Sequence, residues 1–192
     1  MIEFVIPTYN RPDNLISILY SLIVQTNSNW KAHVVIDNKS TILFDKVIEL
    51  LKDEHRIKFT CINGPHNDVG HTPRNYGLEN ATEEWVVMTG DDNYYIPTFV
   101  NEIFNIIDED TKFVYCDMIH NGYGYEMFDC HHSSHKIDIG NMIMKTELAK
   151  QFTLDRRRLD ADGALCNDYI TKFCEEDSTN IKKINKILYV HN

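Results

Sequence analysis

The sequence predicts an α/β domain built on a mainly parallel central sheet flanked by helices. Three observations carry that expectation. Short apolar runs rich in Val and Ile read as buried strands. Between them lie stretches with apolar residues three and four apart, which read as helices. Strands that alternate with helices in this way form βαβ units, and such units make parallel strands. At 192 residues the chain can build one good core and is short for two ordinary domains. Residues 1–192 therefore read as a single domain, either whole or the first domain of a longer protein.

The elements follow in order. Residues 3–6 make the first strand, which Pro7-Thr8-Tyr9-Asn10-Arg11-Pro12 ends, because proline lacks the N–H that pairing needs and suits a first helical turn. Leu15, Ile18, Leu19 and Leu22 then fall on one face of a helix. A second strand covers 32–36 and stops at Asp37-Asn38-Lys39-Ser40. A helix is expected over 42–51 and a third strand over 57–60. The loop 61–73 is rich in Asn, Gly, Pro and His. Thr72-Pro73 reads as N-cap and first residue of a short helix through Leu78. Trp85-Val86-Val87-Met88 is a buried strand, and a helix from near Pro97 carries Phe99, Ile103, Phe104 and Ile107 on one face. Residues 112–116 form another strand. A helix starts near Gly163 with Leu165, Tyr169, Ile170 and Phe173, and 184–190 is a closing strand.

Composition narrows the class of partner. Hydrophobic residues make up 43% and charged residues 25%, the balance of a soluble globular protein. A formal net charge of −10 argues against nucleic acid or an anionic membrane as main partner. With no basic leader and no long apolar segment, neither a signal peptide nor a transmembrane helix is expected. The 5 cysteines, an odd number without a C-x-x-C pair, suit a reduced, cytoplasmic setting.

The stretch richest in chemistry is Thr89-Gly90-Asp91-Asp92-Asn93. Adjacent carboxylates repel and raise each other's pKa, a penalty that a divalent cation removes. Hard oxygen ligands suit Mg²⁺ or Mn²⁺, which keep waters and bridge carboxylates to substrate phosphates. The same residues are also common turn formers. Ligands of parallel sheets collect beyond the carboxyl ends of the strands, where Asp37 and the Asp91-Asp92 pair both fall. No G-x-G-x-x-G and no G-x-x-x-x-G-K-[ST] follows the first strand. Thr8 and Tyr9 offer instead a hydroxyl and a flat ring, for a base or for ordinary packing. Arg74 opposes the dipole of its helix, which makes sense if an anion docks there; pairing with Glu79 or Glu83 is the alternative.

Later stretches add to this. In 119–136, Asn121-Gly122-Tyr123-Gly124-Tyr125 and the run Cys130-His131-His132-Ser133-Ser134-His135 suggest a binding surface, since sugars stack well on Tyr. The spacing of Cys130 and its histidines fits no standard zinc site. Arg156-Arg157-Arg158 could close over a phosphate or stay solvated. Asp162 sits at the amino end of its helix, near the cap. His191 stands at a chain end, where residues usually fray.

These residues together resemble the family 2 glycosyltransferases of the GT-A fold, over nearly the whole chain, and in particular the small members found in bacteria and large DNA viruses. Val5-Ile6-Pro7-Thr8-Tyr9-Asn10-Arg11 is similar to that family's opening. Val35-Ile36-Asp37-Asn38-Lys39-Ser40 resembles its second strand, and Gly70 through Gly77 its nucleotide-facing helix. Asp91-Asp92 stands at the family's metal-binding motif, with Gly90 where an aspartate is common. The resemblance implies that Pro7, Thr8, Tyr9, Arg11, Asp37 and Arg74 hold the nucleotide of a UDP-sugar. Asp91 would face the ribose or sugar and share in the metal site. Asp92 would bind Mn²⁺ or Mg²⁺ across the diphosphate, and His191 would match a third metal ligand. Asp162 would be the catalytic base.

The implied reaction moves a hexose, by default from UDP-glucose, to a hydroxyl of a carbohydrate acceptor. One base opposite the leaving group gives a single in-line displacement and inversion. Only 30 residues follow Asp162, so the acceptor site is expected to be small, open, or completed by another domain or partner chain. Two rivals keep the fold: a non-catalytic sugar-nucleotide or carbohydrate-binding module, and a sugar nucleotidyltransferase. The second is disfavoured because Pro7-Thr8-Tyr9-Asn10 stands where those enzymes carry a glycine-rich loop with a basic residue.

Overall fold

The computed structural model describes residues 1–132, 136–154, 161–174 and 179–192. The expectations placed on Ser133, Ser134 and His135 and on Arg156, Arg157 and Arg158 therefore lie outside the described residues. The chain runs β1 (Ile2–Thr8), α1 (Pro12–Ile23), β2 (Trp30–Ile36), α2 (Asp45–Leu50), β3 (Ile57–Cys61), α3 (His71–Glu79), β4 (Trp85–Met88) and β5 (Tyr94–Tyr95). It continues with α4 (Phe99–Ile106), β6 (Phe113–His120), β7 (Glu126–Phe128), β8 (Met142–Lys145), α5 (Thr146–Ala149), α6 (Ala161–Phe173) and β9 (Ile181–His191).

The sheet has the order β3-β2-β1-β4-β8-β6-β9-β5, with β7 beside β6. β3, β2, β1 and β4 are mutually parallel, as the strand–helix alternation requires. β8 enters antiparallel to both β4 and β6, so β6 again points the same way as β4, and β9 is parallel to β6. The carboxyl ends of β1, β2, β4, β6 and β9 therefore share one edge of the sheet. β1 is buried along its whole length, which is why Phe4, Val5 and Ile6 are consecutive apolar residues rather than an alternating set. Leu15, Ile18, Leu19 and Leu22 of α1 pack fully into the core beside it.

Several boundaries differ from the sequence reading. β1 continues through Pro7 and Thr8, opposite Val35 and Ile36. Val5 accepts from the Thr89 N–H on the β4 side, whereas Thr8 accepts from the Asp37 N–H on the β2 side. Pro7 thus faces the β4 side past the end of that strand, where no N–H is needed. The helix expected over 42–51 contracts to α2, and α3 begins at His71 behind the left-handed Gly70 (φ 81°) rather than at a Thr72 cap. Asp68 makes the cap: its Oδ2 accepts from the Thr72 N–H at 3.0 Å and from the Thr72 hydroxyl at 2.5 Å. β5 was not foreseen, since two residues carry no period, and α4 starts at Phe99 rather than Pro97. β6 and β9 are longer than their apolar cores because they pair with each other as far as His120 and His191.

β1 connects through α1 to β2 on one side, whereas β3 returns through α3 to β4 on the other. The chain reverses its direction of travel across the sheet between β1 and β4, and ligands of open α/β sheets sit beyond the strands at such a point. Among the described residues no helix is long and apolar enough to cross a membrane.

Candidate active site

A cavity of about 310 Å³ opens at that reversal. Pro7, Thr8, Tyr9 and Arg11 reach it from the end of β1, Asp37 from β2, Arg74 from α3, and Asp91 and Asp92 from the end of β4. Residues separated by more than eighty positions thus meet because their strands are neighbours: the Thr8 hydroxyl donates to Asp91 Oδ2 at 2.7 Å. Tyr9 leaves 40% of its surface exposed on the wall, as a ring available for stacking would.

The carboxylate pair divides into a buried and an open member. Asp91 is 3% exposed, and burial raises its carboxyl above the ordinary carboxylate range, while the Thr8 hydroxyl and then Arg11 pull it back. The Asp92 side chain is 30% exposed. Arg11 Nη1 donates to Asp92 Oδ2 at 2.7 Å and lies 3.3 Å from Asp91 Oδ1, so a guanidinium offsets the repulsion between the two. Among the described residues no three His, Cys, Asp or Glu side chains form a ready metal cage. The donor set still fits Mg²⁺ or Mn²⁺, which dehydrate reluctantly and accept one or two carboxylates completed by waters and phosphate oxygens. Asp92 would hold such an ion on its open side, with Arg11 turning aside.

Asp37 and Arg74 are both positioned by the loop between β3 and α3. His66 grips Asp37 twice: its backbone N–H reaches Oδ2 at 3.0 Å and its Nδ1 lies 2.5 Å from Oδ1. Arg74 donates through Nη1 to the Val69 carbonyl at 2.9 Å and through Nε to the Thr89 carbonyl at 3.3 Å. Its guanidinium is therefore turned toward the cavity, while Glu83 is engaged by Lys31. Val69, on the cavity wall, takes a left-handed φ of 58°, uncommon for a β-branched residue. Asn75 of α3 exchanges two hydrogen bonds with the backbone of Leu154, at 2.9 and 3.1 Å, and so ties this wall to the segment before α6.

Asp162 and His191 belong to a second cluster on the same sheet edge. Asp162 lies in the first turn of α6. Burial, and next the charge of Asp138, push its carboxyl up to about 6, against the pull of Arg74, the Ile139 N–H and His191. Asp138 is the centre of this cluster. It accepts from the Gly140 N–H at 2.8 Å and the Tyr189 hydroxyl at 2.7 Å, and its Oδ2 lies 3.5 Å from His191 Nε2. His191 is part of β9, with its ring against His120, and the adjacent Asn192 N–H donates to Asn93 Oδ1 at 3.2 Å. That last bond places the end of β9 beside the Asp91-Asp92 turn. His66 and Asp138 escaped the sequence reading. A lone histidine in a polar loop carries no pattern, and Asp138 with Asn141 makes a capping box whose sequence lacks the Glu or Gln that would announce it. Cys130 is buried, its thiol pushed up to about 11, with Sγ 3.2 Å from Asn141 Nδ2.

Comparison with known proteins agrees with this layout. The family model described as Glycosyl transferase family 2 matches residues 3–173. A Haemophilus influenzae protein named as an uncharacterized glycosyltransferase is 24% identical over 131 residues, which cover 65% of this chain and 42% of that one. The Staphylococcus aureus TarS 1–349 structure in complex with UDP superposes with a TM-score of 0.80 at 19% identity, over 98% of this chain and 59% of that one. The Pyrobaculum calidifontis mannosyltransferase PcManGT, in complex with GDP-Man and Mn²⁺, gives 0.74 at 17% identity, over 99% and 56%. The chain thus spans less than two thirds of each of these proteins, and its fold is GT-A.

Proposed function

The chain belongs to glycosyl transferase family 2, and we propose that it transfers a hexose from a UDP-sugar to a hydroxyl of a carbohydrate acceptor, with inversion. What supports this reading is the cavity between the ends of β1 and β4, in which an aromatic ring, two arginines and a carboxylate pair face one space. Tyr9 and the Asp37–His66 pair would hold the base. Thr8 and Asp91 would face the ribose or sugar. Arg11 and Arg74 would take the diphosphate.

Asp162 would act from the other side as general base. Its carboxylate takes the proton of the acceptor hydroxyl as that oxygen bonds to the anomeric carbon. The bond from that carbon to the diphosphate oxygen breaks with its electron pair leaving on the nucleotide. Arg74 is oriented in advance for the developing charge by the Val69 and Thr89 carbonyls. A divalent ion held by Asp92 would stabilise the departing diphosphate as a Lewis acid, whereas the His191 ring is turned to Asp138, Asn121 and His120. The donor is read as a UDP-sugar, as TarS was solved with UDP; PcManGT, solved with GDP-Man, makes a GDP-sugar the alternative that thermal unfolding separates.

Thermal unfolding with UDP, UDP-GlcNAc, UDP-glucose and GDP-mannose, each with Mn²⁺ and with EDTA, tests the reading. A ligand present at about a hundred times its Kd stabilises the native state by about 2.7 kcal/mol. The expected result is an upward shift of several degrees with UDP and one UDP-sugar, abolished by EDTA. Indifference to every nucleotide would return Asp91-Asp92 to the status of a turn.

A further inference from the structure

We propose that the ring-lined face running from His191 out to Tyr123 is the acceptor subsite, where a pyranose next to the one being modified stacks. The proposal rests on Asp162 acting as base and says where the acceptor chain lies beyond it. In the parallel β6–β9 pair, Met118 stands opposite Tyr189 and His120 opposite His191. Side chains alternate across a sheet, so these residues share one face. Phe128 joins them, because it pairs with Met118 across β6 and β7. Tyr189 and His191 both contact Asp138, and the N–H of the next residue, Ile139, donates to Asp162, so the face begins beside the candidate base.

From that point the rings are continuous. His191 stacks on His120 with centroids 4.1 Å apart and planes 10° from parallel. His120 meets Tyr123 edge-on at 5.1 Å, and Tyr123 lies 4.5 Å from Phe128. The strip starts at the fully buried Tyr189 and ends in the open at Tyr123, which is 58% exposed. Polar groups line its rim: the Tyr125 hydroxyl donates to Asn192 Oδ1 at 2.7 Å, and Asn121 Oδ1 lies 3.3 Å from His191 Nδ1. Gly124 and Tyr125 both adopt left-handed backbone (φ 70° and 61°), a conformation disfavoured for a residue with a Cβ such as Tyr125. Such strain is retained where a loop must present something.

This combination matches a sugar. A pyranose offers a C–H face to an aromatic ring and hydroxyls to amides and phenols at its edge. An oligosaccharide lying along it would place one unit over Tyr123 and His120 and the next toward Asp138 and Asp162.

A glycan array probed with labelled protein in UDP and Mn²⁺ tests this, with wild type, Tyr123→Ala and Tyr123→Trp compared. Wild type should retain glycans of two or more units. Tyr123→Ala should weaken the best of them about tenfold, the scale of one lost aromatic contact. Tyr123→Trp should stay within about twofold of wild type. UDP affinity, read from thermal shifts on the same samples, should be equal in all three. Undiminished glycan retention by Tyr123→Ala, or no retention by a wild-type protein that binds UDP, overturns the proposal. Failure of UDP to bind any of the three would instead overturn the donor reading, and this one with it.

Discussion

Asp162 and Arg11 each tie a titratable or charged side chain to a measurable consequence. A general base works as the carboxylate, so with Asp162 held at about 6 the rate should climb about tenfold per pH unit below 6 and level off above it. Asp138→Asn removes the negative neighbour and should move that limb to lower pH, visible in the kcat/KM profile. Stability has the opposite sign. A carboxyl raised in the folded state supports folding most below its unfolded value near 3.9, and that support is lost as pH rises through about 6. Asp162→Asn should therefore cut transfer by a factor of 10² or more while melting a few degrees above wild type at pH 8. A mutant that is both active and unstable would contradict both roles. Arg11→Ala leaves the buried Asp91 beside Asp92 without the guanidinium that now faces both. It should lower the metal-free melting temperature by about 2–4 °C, and added Mn²⁺ should recover more of that loss than it adds to wild type. Equal metal responses would mean that Arg11 and the cation do not compete for the pair.

At the level of elements, α3 shows how packing aims a functional side chain. Gly77 lies against β1 so closely that a Cβ would overlap Val5 Cγ1, and only that approach sets Arg74 over the end of β4. Gly77→Ala should destabilise by about 1–3 kcal/mol, read as a lower urea midpoint at unchanged slope, and should weaken UDP binding as α3 lifts. A midpoint at or above wild type, from the better helix propensity of alanine alone, would deny the close approach. The same element marks what a sequence can and cannot disclose. Its existence and Arg74 were legible from Thr72-Pro73 and a misplaced cation. Its true start was not, because Asp68 caps it from outside the helical pattern. Likewise the apolar runs of β1, β2 and β4 announced themselves, and with them the strand ends that carry Thr8, Asp37 and Asp91. Asp138 and His66 stayed hidden because their roles arise from long-range contacts, Asp138 with β9 and His66 with β2, and no local period records such contacts. β5 and the full reach of β9 were missed for the same reason: pairing partners, not propensity, define them.

Across the whole molecule, charge sets how the two ends of the reaction are approached. The parallel half of the sheet holds the cavity, and the mixed half carries Asp138, Asp162 and the ring strip, with both opening on one edge. The chain bears a formal charge of −10, and the cavity does not reverse that sign locally. Arg11 is committed to Asp91 and Asp92, while Asp37 and Asp68 stand on the same wall as Arg74. A metal-free nucleoside diphosphate therefore approaches against a negative potential, and a divalent cation approaches with it. Raising the salt from about 20 to about 300 mM shortens the screening length from roughly 20 Å to under 10 Å and weakens both effects. UDP alone should then bind more tightly at high salt, and Mn²⁺ alone less tightly, while the Mn²⁺–UDP pair should respond little. Calorimetric titration at the two ionic strengths reads all three. If metal-free UDP instead lost affinity as salt rose, the field at the cavity would be positive, and the diphosphate would be held by Arg74 and Arg11 without need of a cation.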